Sequence, residues 1–326
     1  MKKLLLALGV VLTVALFSAF ATTLSLAAET VKVGIVLPLT GDQAKFGEIE
    51  KQSFDLALEE INAAGGVNGK KLEWIIEDDT GRPEVGRSVI EKLINKDKVV
   101  MIGGGYSSSV TYAVAGACQQ NQMPFLINTG SADKITEQKW DYVFRLNPPA
   151  SKYATSVDEL LEAVIKPKSV AILHENSLFG TSSAKSFDES CAKAGYKVVL
   201  KQGYEAGGID FKPVLIQVKS LNPDIVYMVS YVMDAALLMK QAKELKIAPK
   251  MFIGGGAGFT LPEFQQNAGI ASEKIISATL WHQLLPFPGA MDYYNKFVAK
   301  YNKETEYHGA EAYAAAYVIA DVIKRT

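Results

Sequence analysis

Short apolar runs alternate along this chain with longer stretches in which apolar residues recur every three or four positions. The run at 31–37 has the pattern of a buried strand. The stretch that follows places four apolar residues on one face of a helix: Phe54, Ala57, Leu58 and Ile61. The same alternation continues to the end of the chain. Strands that alternate with helices predict an α/β protein whose parallel sheets carry helices on both faces.

Polar loops follow five of the predicted strands. These strands end at Leu37, Ile102, Ile127, Val229 and Ile253. In open parallel sheets, ligands bind beyond the carboxyl ends of the strands. We therefore expect the five loops to border one ligand-binding cleft.

The loop at 103–109 reads Gly-Gly-Gly-Tyr-Ser-Ser-Ser and lies between a predicted strand at 99–102 and a predicted helix at 109–118. Glycines let a backbone turn tightly and approach a ligand closely. The first amides of a helix are unpaired and carry partial positive charge. The loop therefore suits a carboxylate or another anion. An ordinary glycine-serine turn, with a serine that caps the helix, is the alternative interpretation.

The first 27 residues have the composition of a secretory signal peptide. Two lysines follow the initiator, an apolar run comes next, and small residues lead to cleavage after Ala27 or Ala28. No cysteine stands at the cleavage site, so a lipid anchor is not expected, and a retained membrane anchor is the alternative. Beyond this segment, no run reaches the roughly 18 apolar residues that a membrane-spanning helix needs.

Composition mainly excludes other classes of protein. With 34 basic and 35 acidic residues the formal net charge is −1, and no basic run indicates nucleic-acid binding. Cys118 and Cys191 could pair in an oxidising compartment, but both fall in helix-like segments, where we expect small buried hydrophobic side chains. The three histidines lack the spacing of a metal site, so we expect each to be packed or at the surface.

The motifs of an enzyme are also missing from the sequence. No nucleophile elbow and no dinucleotide-binding glycine motif follows a predicted strand, so we expect neither catalysis nor a cofactor. The acidic pair Asp78 and Asp79 follows a predicted strand at 72–77. We expect this pair in a solvated loop rather than in a metal site.

Several motifs, in this order along the chain, resemble the periplasmic leucine/isoleucine/valine-binding proteins, which are the solute receptors of amino-acid ABC importers. The motifs are Gly-Ile-Val-Leu-Pro-Leu-Thr-Gly at 34–41, the helix end and turn at 55–69, the Asp78–Asp79 pair, the serines at 107–109 and Phe179–Gly180. The resemblance covers 31–326. It implies the type I periplasmic binding protein fold, with two doubly wound parallel-sheet lobes joined by a three-strand hinge.

The resemblance also implies where the lobes divide. Residues 28–147 and 280–326 would form lobe 1, and residues 148–279 would form lobe 2. The sequence stops inside a predicted helix. We therefore expect the last part of lobe 1 to be missing from this chain.

The resemblance assigns further residues to a ligand site between the lobes. Ser107 stands where the family binds the ligand's carboxylate, and Thr129 and Ser131 stand where the next loop adds backbone and hydroxyl contacts. Aromatic walls would come from Phe46, Phe179 and Tyr231, with Tyr106 beside them in the glycine-serine loop.

Gly256 departs from the family pattern. The family's amino-acid receptors have a glutamate at this position, and it pairs with the ligand's ammonium. A buried ammonium without a carboxylate is strongly disfavoured. Asp234 or Glu205 could replace the missing acid, and the sequence does not decide between them.

These features predict a periplasmic, monomeric receptor that binds a small carboxylate ligand, closes on it and docks on the membrane permease of an ABC importer. The expected ligand is a branched-chain or other apolar amino acid. An aromatic or short aliphatic carboxylic acid, or an amide, is the alternative. A ligand-sensing regulator and a hydrolase that uses Ser107 are the other classes of function we considered.

Overall fold

The computed structural model of the protein describes residues 30–326. The predicted signal peptide at 1–27 lies outside the described residues. Within them, strands and helices alternate and form two parallel sheets of five strands each. The prediction of an α/β protein with two parallel-sheet lobes is confirmed.

The first sheet has the strand order β2-β1-β3-β4-β5, and every neighbouring pair is parallel. Its strands are β1 (Thr30–Leu37), β2 (Lys71–Asp78), β3 (Ile102–Gly104), β4 (Phe125–Ile127) and β5 (Val143–Arg145). The second sheet has the order β10-β9-β8-β6-β7, again all parallel. Its strands are β6 (Ser169–Glu175), β7 (Lys197–Tyr204), β8 (Ile225–Val229), β9 (Met251–Gly254) and β10 (Ile275–Ser277).

Helices cover both sheets. The described helices are α1 (Ala44–Ala63), α2 (Pro83–Lys92), α3 (Ser108–Gln120), α4 (Lys134–Glu137), α5 (Ala150–Leu160), α6 (Leu178–Ala194), α7 (Lys212–Leu221), α8 (Val232–Glu244), α9 (Pro262–Ala268), α10 (Ala290–Tyr301) and α11 (Tyr307–Arg325). Helices α5 to α9 pack with the second sheet. The last two helices, α10 and α11, return to the first lobe and pack on α1.

Strand β1 shows why the first sheet is covered on both faces. Val33 and Ile35 point to a cluster with Phe54 of α1, whereas Val36 points to a cluster with Val110 of α3 on the other face. Successive side chains of a strand point to opposite faces, so a continuous apolar run must be buried on both. This is the reason that 31–37 is apolar throughout.

Two boundaries differ from the predictions in a way that affects the site. Strand β3 is Ile102–Gly104 rather than 99–102, because Gly103 and Gly104 pair with β1 and β4 whereas Val100 is half exposed. Glycine is a poor strand former, so its presence concealed the end of the strand. Helix α11 begins at Tyr307 rather than near 310, with Glu306 as its cap.

The described chain passes twice between the sheets, once between β5 and β6 and once between β10 and α10. The lobe boundaries and the third hinge strand stay predictions. Cys118 and Cys191 are both buried free thiols, as expected. Across residues 30–326, no helix has the length and apolar character needed to span a membrane.

Candidate ligand-binding cleft

The carboxyl ends of the two sheets face each other across a cleft. Tyr106, which follows β3, lies with its ring centroid 6.1 Å from that of Tyr231, which follows β8. The Tyr231 ring in turn lies 5.9 Å from Phe179, in the first turn of α6 after β6. Aromatic side chains from both lobes therefore meet at the edge where the sequence predicted a ligand site.

The start of α3 has the geometry of an anion site. Gly104 and Gly105 both have positive φ, and a Cβ at Gly104 would lie 2.3 Å from the Val36 carbonyl oxygen. Only glycine allows β3 to lie this close to β1 while the chain turns into the helix. Ser107 occupies the N-cap position of α3, but its side chain makes no capping hydrogen bond. The interpretation of Ser107 as an ordinary helix cap is therefore not supported.

The two serines after Ser107 are engaged with their surroundings. The Ser108 hydroxyl accepts the amide of Ala132 at 3.1 Å. The Ser109 hydroxyl accepts the amide of Leu178, from the second lobe, at 3.2 Å. The N-terminus of α3 thus contacts the start of α6 directly, so helix starts from both lobes meet in the cleft.

A small cavity of about 20 Å³, here called the inner cavity, lies between the lobes. The first lobe lines it with Tyr106, Ser108, Thr129, Ser131, Tyr307 and His308. The second lobe lines it with Tyr153, Phe179, Tyr231 and Ala257. A cavity of this size holds one water molecule. A larger ligand therefore enters only when the lobes separate or the aromatic rings turn.

A larger opening of about 620 Å³, here called the outer cleft, lies on the other side of Tyr231. Its lining from the first lobe includes Asp42, Gln43, Ser107 and Ser109. Its lining from the second lobe includes Glu175, Ser177, Gly207, Met233 and Asp234. Tyr231 borders both spaces, and it shares the outer cleft with Ser177, Ser107 and Gln43. The outer cleft has the volume of a small-molecule site.

The predicted hydroxyl-bearing residues border different spaces of the cleft. Ser107 borders the outer cleft, whereas Thr129 and Ser131 border the inner cavity. The Thr129 hydroxyl donates to the Glu50 carboxylate at 2.8 Å. Ser131 shares the lining of the inner cavity with Tyr153.

The predicted aromatic residues also differ in whether they line a cavity. Phe179, Tyr231 and Tyr106 line the inner cavity. Phe46 is fully buried and lines neither space, but its ring stacks on that of Tyr106 with centroids 4.6 Å apart. Phe46 therefore supports the wall from behind. Its role as a ligand contact stays a prediction, as do the roles of the other residues.

Gly256 lies in the turn after β9, beside the inner cavity. Its φ is +90°, and a Cβ there would lie 3.5 Å from the Tyr153 ring and 3.7 Å from the Tyr307 hydroxyl. The next residue, Ala257, donates its amide to that hydroxyl at 3.1 Å. Two tyrosines therefore adjoin the place where a longer side chain at 256 would begin.

Sequence analysis missed four residues that border the inner cavity outside the glycine-serine loop: Tyr153, Ala257, Tyr307 and His308. His308 is 3% exposed, and its Nδ1 lies 2.8 Å and 2.9 Å from the two oxygens of Glu306. His308 is therefore packed, as expected of each histidine, but the expectation did not place it beside the cavity. Little in the sequence indicated this helix start, because Glu306, which caps α11, is not one of the residue types preferred at a helix N-cap.

Buried carboxyl groups surround the cleft. Burial raises the pKa of Glu50 to about 8, although Asn128 and Thr129 both donate to it. Burial also raises the pKa of Asp234, at the outer cleft, to about 6, and its oxygens accept the Gly207 amide. Removing a carboxylate from water disfavours its charged form.

The position of Asp79 differs from the one predicted. The pair Asp78–Asp79 was expected in a solvated loop, but Asp79 is fully buried and accepts the Gly81 amide at 2.8 Å. Burial raises the pKa of Asp79 to about 6. The loop closes over Asp79 because Asp78 accepts amides from both sides, from Leu39 and Thr80. In the part of the chain that the structure describes, no cluster of metal-binding side chains is found.

Comparison with known proteins agrees with this geometry. A family model described as periplasmic binding protein matches residues 30–326. The Leu/Ile/Val-binding protein homolog 8 of Brucella abortus is 30% identical over 94% of this chain and 79% of its own length.

Solved structures give the same result. The branched-chain amino acid transporter substrate binding protein LivJ from Streptococcus pneumoniae, solved in complex with isoleucine, is similar with a TM-score of 0.85 at 26% identity; 91% of this chain and 85% of that one are covered. A solute binding protein of an ABC transporter from R. palustris, in complex with benzoate, has a TM-score of 0.81 at 21% identity over 91% of this chain and 81% of its own. The latter likeness concerns the fold alone. This chain belongs to the periplasmic binding protein family and has its type I fold.

Proposed function

We propose that this protein is the solute-binding receptor of an ABC importer, and that it closes its lobes on a small carboxylate ligand before it docks on the membrane permease. The observation that supports this most directly is the pair of spaces bordered by both lobes at the carboxyl ends of both sheets. A ligand held there contacts both lobes at once and so favours their closed arrangement.

The N-terminus of α3 is the proposed seat of the ligand's carboxylate. The amides at the start of the helix can bind an anion. The Ser107 hydroxyl can join them, because the Ser107 side chain makes no capping hydrogen bond. A carboxylate bound there gains charge-assisted hydrogen bonds, which are stronger than neutral ones.

For the rest of the ligand we propose an apolar group that packs on the aromatic walls. The isoleucine bound by the Streptococcus protein supports an apolar amino acid. The ring-rich lining of the inner cavity supports an aromatic or short aliphatic carboxylic acid as the second ligand class.

We also propose that the protein is exported from the cytoplasm. Proteins of this family are periplasmic, and the signal-peptide pattern at 1–27 supports a mature protein outside the cytoplasm. Binding without chemistry is proposed because none of the three histidines, all within residues 30–326, lines the outer cleft that Ser107 borders.

A thermal-shift screen tests the proposal. Mature protein is heated with leucine, isoleucine and valine, and with benzoate and 2-oxo acids, because a ligand that binds only the folded state raises its melting temperature. We expect at least one carboxylate to raise the melting temperature in a concentration-dependent way, and to be recovered unchanged. If no carboxylate of either class does so, the proposed function is wrong. Conversion of a bound ligand would contradict a receptor without chemistry.

A further inference from the structure

The lining of the inner cavity has an unusual charge composition for a site that takes an amino acid. No acidic side chain borders it among residues 30–326, and its one titratable nitrogen base is His308. The other polar side chains are hydroxyls. An ammonium buried here would lack a carboxylate partner, which is costly.

Three acids lie near this cavity, and none lines it. Glu311 keeps one buried oxygen without a partner among residues 30–326, but burial raises its pKa well above the usual range and so favours its neutral form. The oxygens of the other two, Glu306 and Glu50, are already used. Both oxygens of Glu306 accept from His308, and one of them also accepts the Thr260 hydroxyl of the second lobe at 3.3 Å. The two oxygens of Glu50 accept from Asn128 and Thr129. Burial also favours the neutral form of Glu50 by raising its pKa.

Two polar atoms at the inner cavity keep hydrogen-bonding capacity. The Tyr106 hydroxyl is buried, in a residue that is 6% exposed, and has no partner within the described residues. His308 uses Nδ1 for Glu306, which leaves Nε2 as its second hydrogen-bonding atom. The rings of Tyr106 and His308 lie side by side, with centroids 5.3 Å apart.

We propose that Tyr106 and His308 are specificity-determining residues, which together bind an uncharged oxygen of a small carboxylic acid that carries no amine. This inference rests on the proposed function, since it assumes that the cleft binds a carboxylate. The acid's carboxylate lies at the start of α3, and a hydroxyl or oxo oxygen on the same ligand faces the Tyr106 hydroxyl and the second nitrogen of His308. Hydroxy-aromatic acids and 2-oxo acids share this chemistry.

The imidazole suits such an oxygen because Glu306 fixes its orientation. With Nδ1 turned to the carboxylate, Nε2 is the ring atom left for a ligand oxygen. It can accept from a ligand hydroxyl when the ring is neutral and can donate to an oxo oxygen when the ring is protonated. The Tyr106 hydroxyl can donate to an oxo oxygen or accept from a hydroxyl. Phe46 and Tyr307 pack against the imidazole and limit its movement.

An ammonium-bearing ligand would use the outer cleft instead. Asp42, Glu175 and Asp234 border that space together with Ser107. Asp42 is exposed there, and a charge pair near water contributes little. Asp234 is buried, its oxygens accept the Gly207 amide, and burial raises its pKa to about 6, which disfavours its charged form. Asp234 is therefore the residue whose substitution separates the two ligand classes.

The test measures binding to the mature protein by calorimetry, with 4-hydroxybenzoate, 4-methyl-2-oxopentanoate and leucine as probes. We expect at least one amine-free acid to bind and leucine to bind at least tenfold more weakly. Tyr106→Phe should weaken binding of that acid about 3- to 10-fold, since it removes one hydrogen bond. His308→Gln should weaken it at least tenfold. His282→Gln, at an exposed histidine, is the control and should change nothing.

The outcomes separate the two proposals. If an amine-free acid binds equally well to wild type, Tyr106→Phe and His308→Gln, the inference fails while the proposed function stands. If leucine binds more tightly and Asp234→Asn abolishes its binding, the inference is again overturned. If no probe binds and none raises the melting temperature, both fail. Tyr106→Phe keeps the test decisive even if His308→Gln does not fold, because the Tyr106 hydroxyl has no hydrogen-bond partner to lose within residues 30–326.

Discussion

Replacing Tyr307 by phenylalanine removes a hydrogen bond that joins the two lobes. The Tyr307 hydroxyl, at the start of α11 in the first lobe, accepts the Ala257 amide of the second lobe at 3.1 Å. Tyr307 is 2% exposed, and its ring lies 3.8 Å from that of His308 between centroids. Phenylalanine keeps this ring contact. The substitution therefore deletes one oxygen and leaves the Ala257 amide without its partner.

The cost falls on the closed arrangement, because the bond exists only when the lobes are together. A buried donor without a partner costs about 1–3 kcal/mol. At about 1.4 kcal/mol for each tenfold change, the ligand should bind roughly 5- to 140-fold more weakly to Tyr307→Phe. Calorimetry with the ligand identified by the thermal-shift screen measures this change. X-ray scattering without ligand should show a larger radius of gyration for the variant than for the wild type.

Tyr313→Phe provides a matched control on the same helix. The Tyr313 hydroxyl donates to Glu60 at 2.6 Å, entirely within the first lobe. Its loss should lower the melting temperature and leave ligand affinity unchanged. The reasoning is refuted if Tyr307→Phe binds as tightly as the wild type, or if the two variants lose affinity equally.

Three further predictions concern the carboxylate seat, a buried acid and the motion of the lobes. Ser107→Ala should weaken binding by about 1–3 kcal/mol, since a charged group loses a hydrogen bond; unchanged affinity in calorimetry would remove Ser107 from the site. The folded-state pKa of Glu50 is raised from 4.5 to about 8, so the folded protein holds this proton more tightly. Stability should therefore fall as pH rises from 4.5 to 8, by up to about 1.4 kcal/mol per pH unit; urea unfolding of wild type and Glu50→Gln measures this, and equal pH profiles would contradict it. Saturating ligand should lower the radius of gyration in solution, and a constant radius would indicate a rigid cleft.

The sequence was informative about the fold because the relevant signal is local. A strand buried on both faces must be apolar throughout, and a helix on a sheet must be apolar every three or four residues. The amino-acid sequences of β1 and α1 show these two patterns directly. The same logic failed at β3, where Gly103 and Gly104 complete the strand through pairing with β1 and β4 rather than through their own preference.

The site was predictable only in part. Loops that follow strands must lie at the carboxyl edge of a parallel sheet, so Tyr106, Ser131 and Tyr231 could be assigned to one cleft from their positions in the sequence. Which of the two spaces each residue borders depends on how the lobes meet. Phe46 shows the limit, because it precedes the cleft in sequence but lies behind Tyr106 in space.

The sequence by itself determined the order of strands and helices along the chain and the glycine-serine turn, since both follow from the preferences of neighbouring residues. The division into two lobes was implied by the resemblance to a known family. Only the tertiary structure decided that α11 returns to the first lobe and brings Tyr307 and His308, with the cap Glu306 beside them, to the inner cavity. The other residues that line this cavity lie some 50 to more than 200 positions earlier in the chain. Such contacts form because apolar faces must be buried against distant partners, and no local pattern encodes which partner that is. The buried state of Asp79 and Glu50 was decided in the same way.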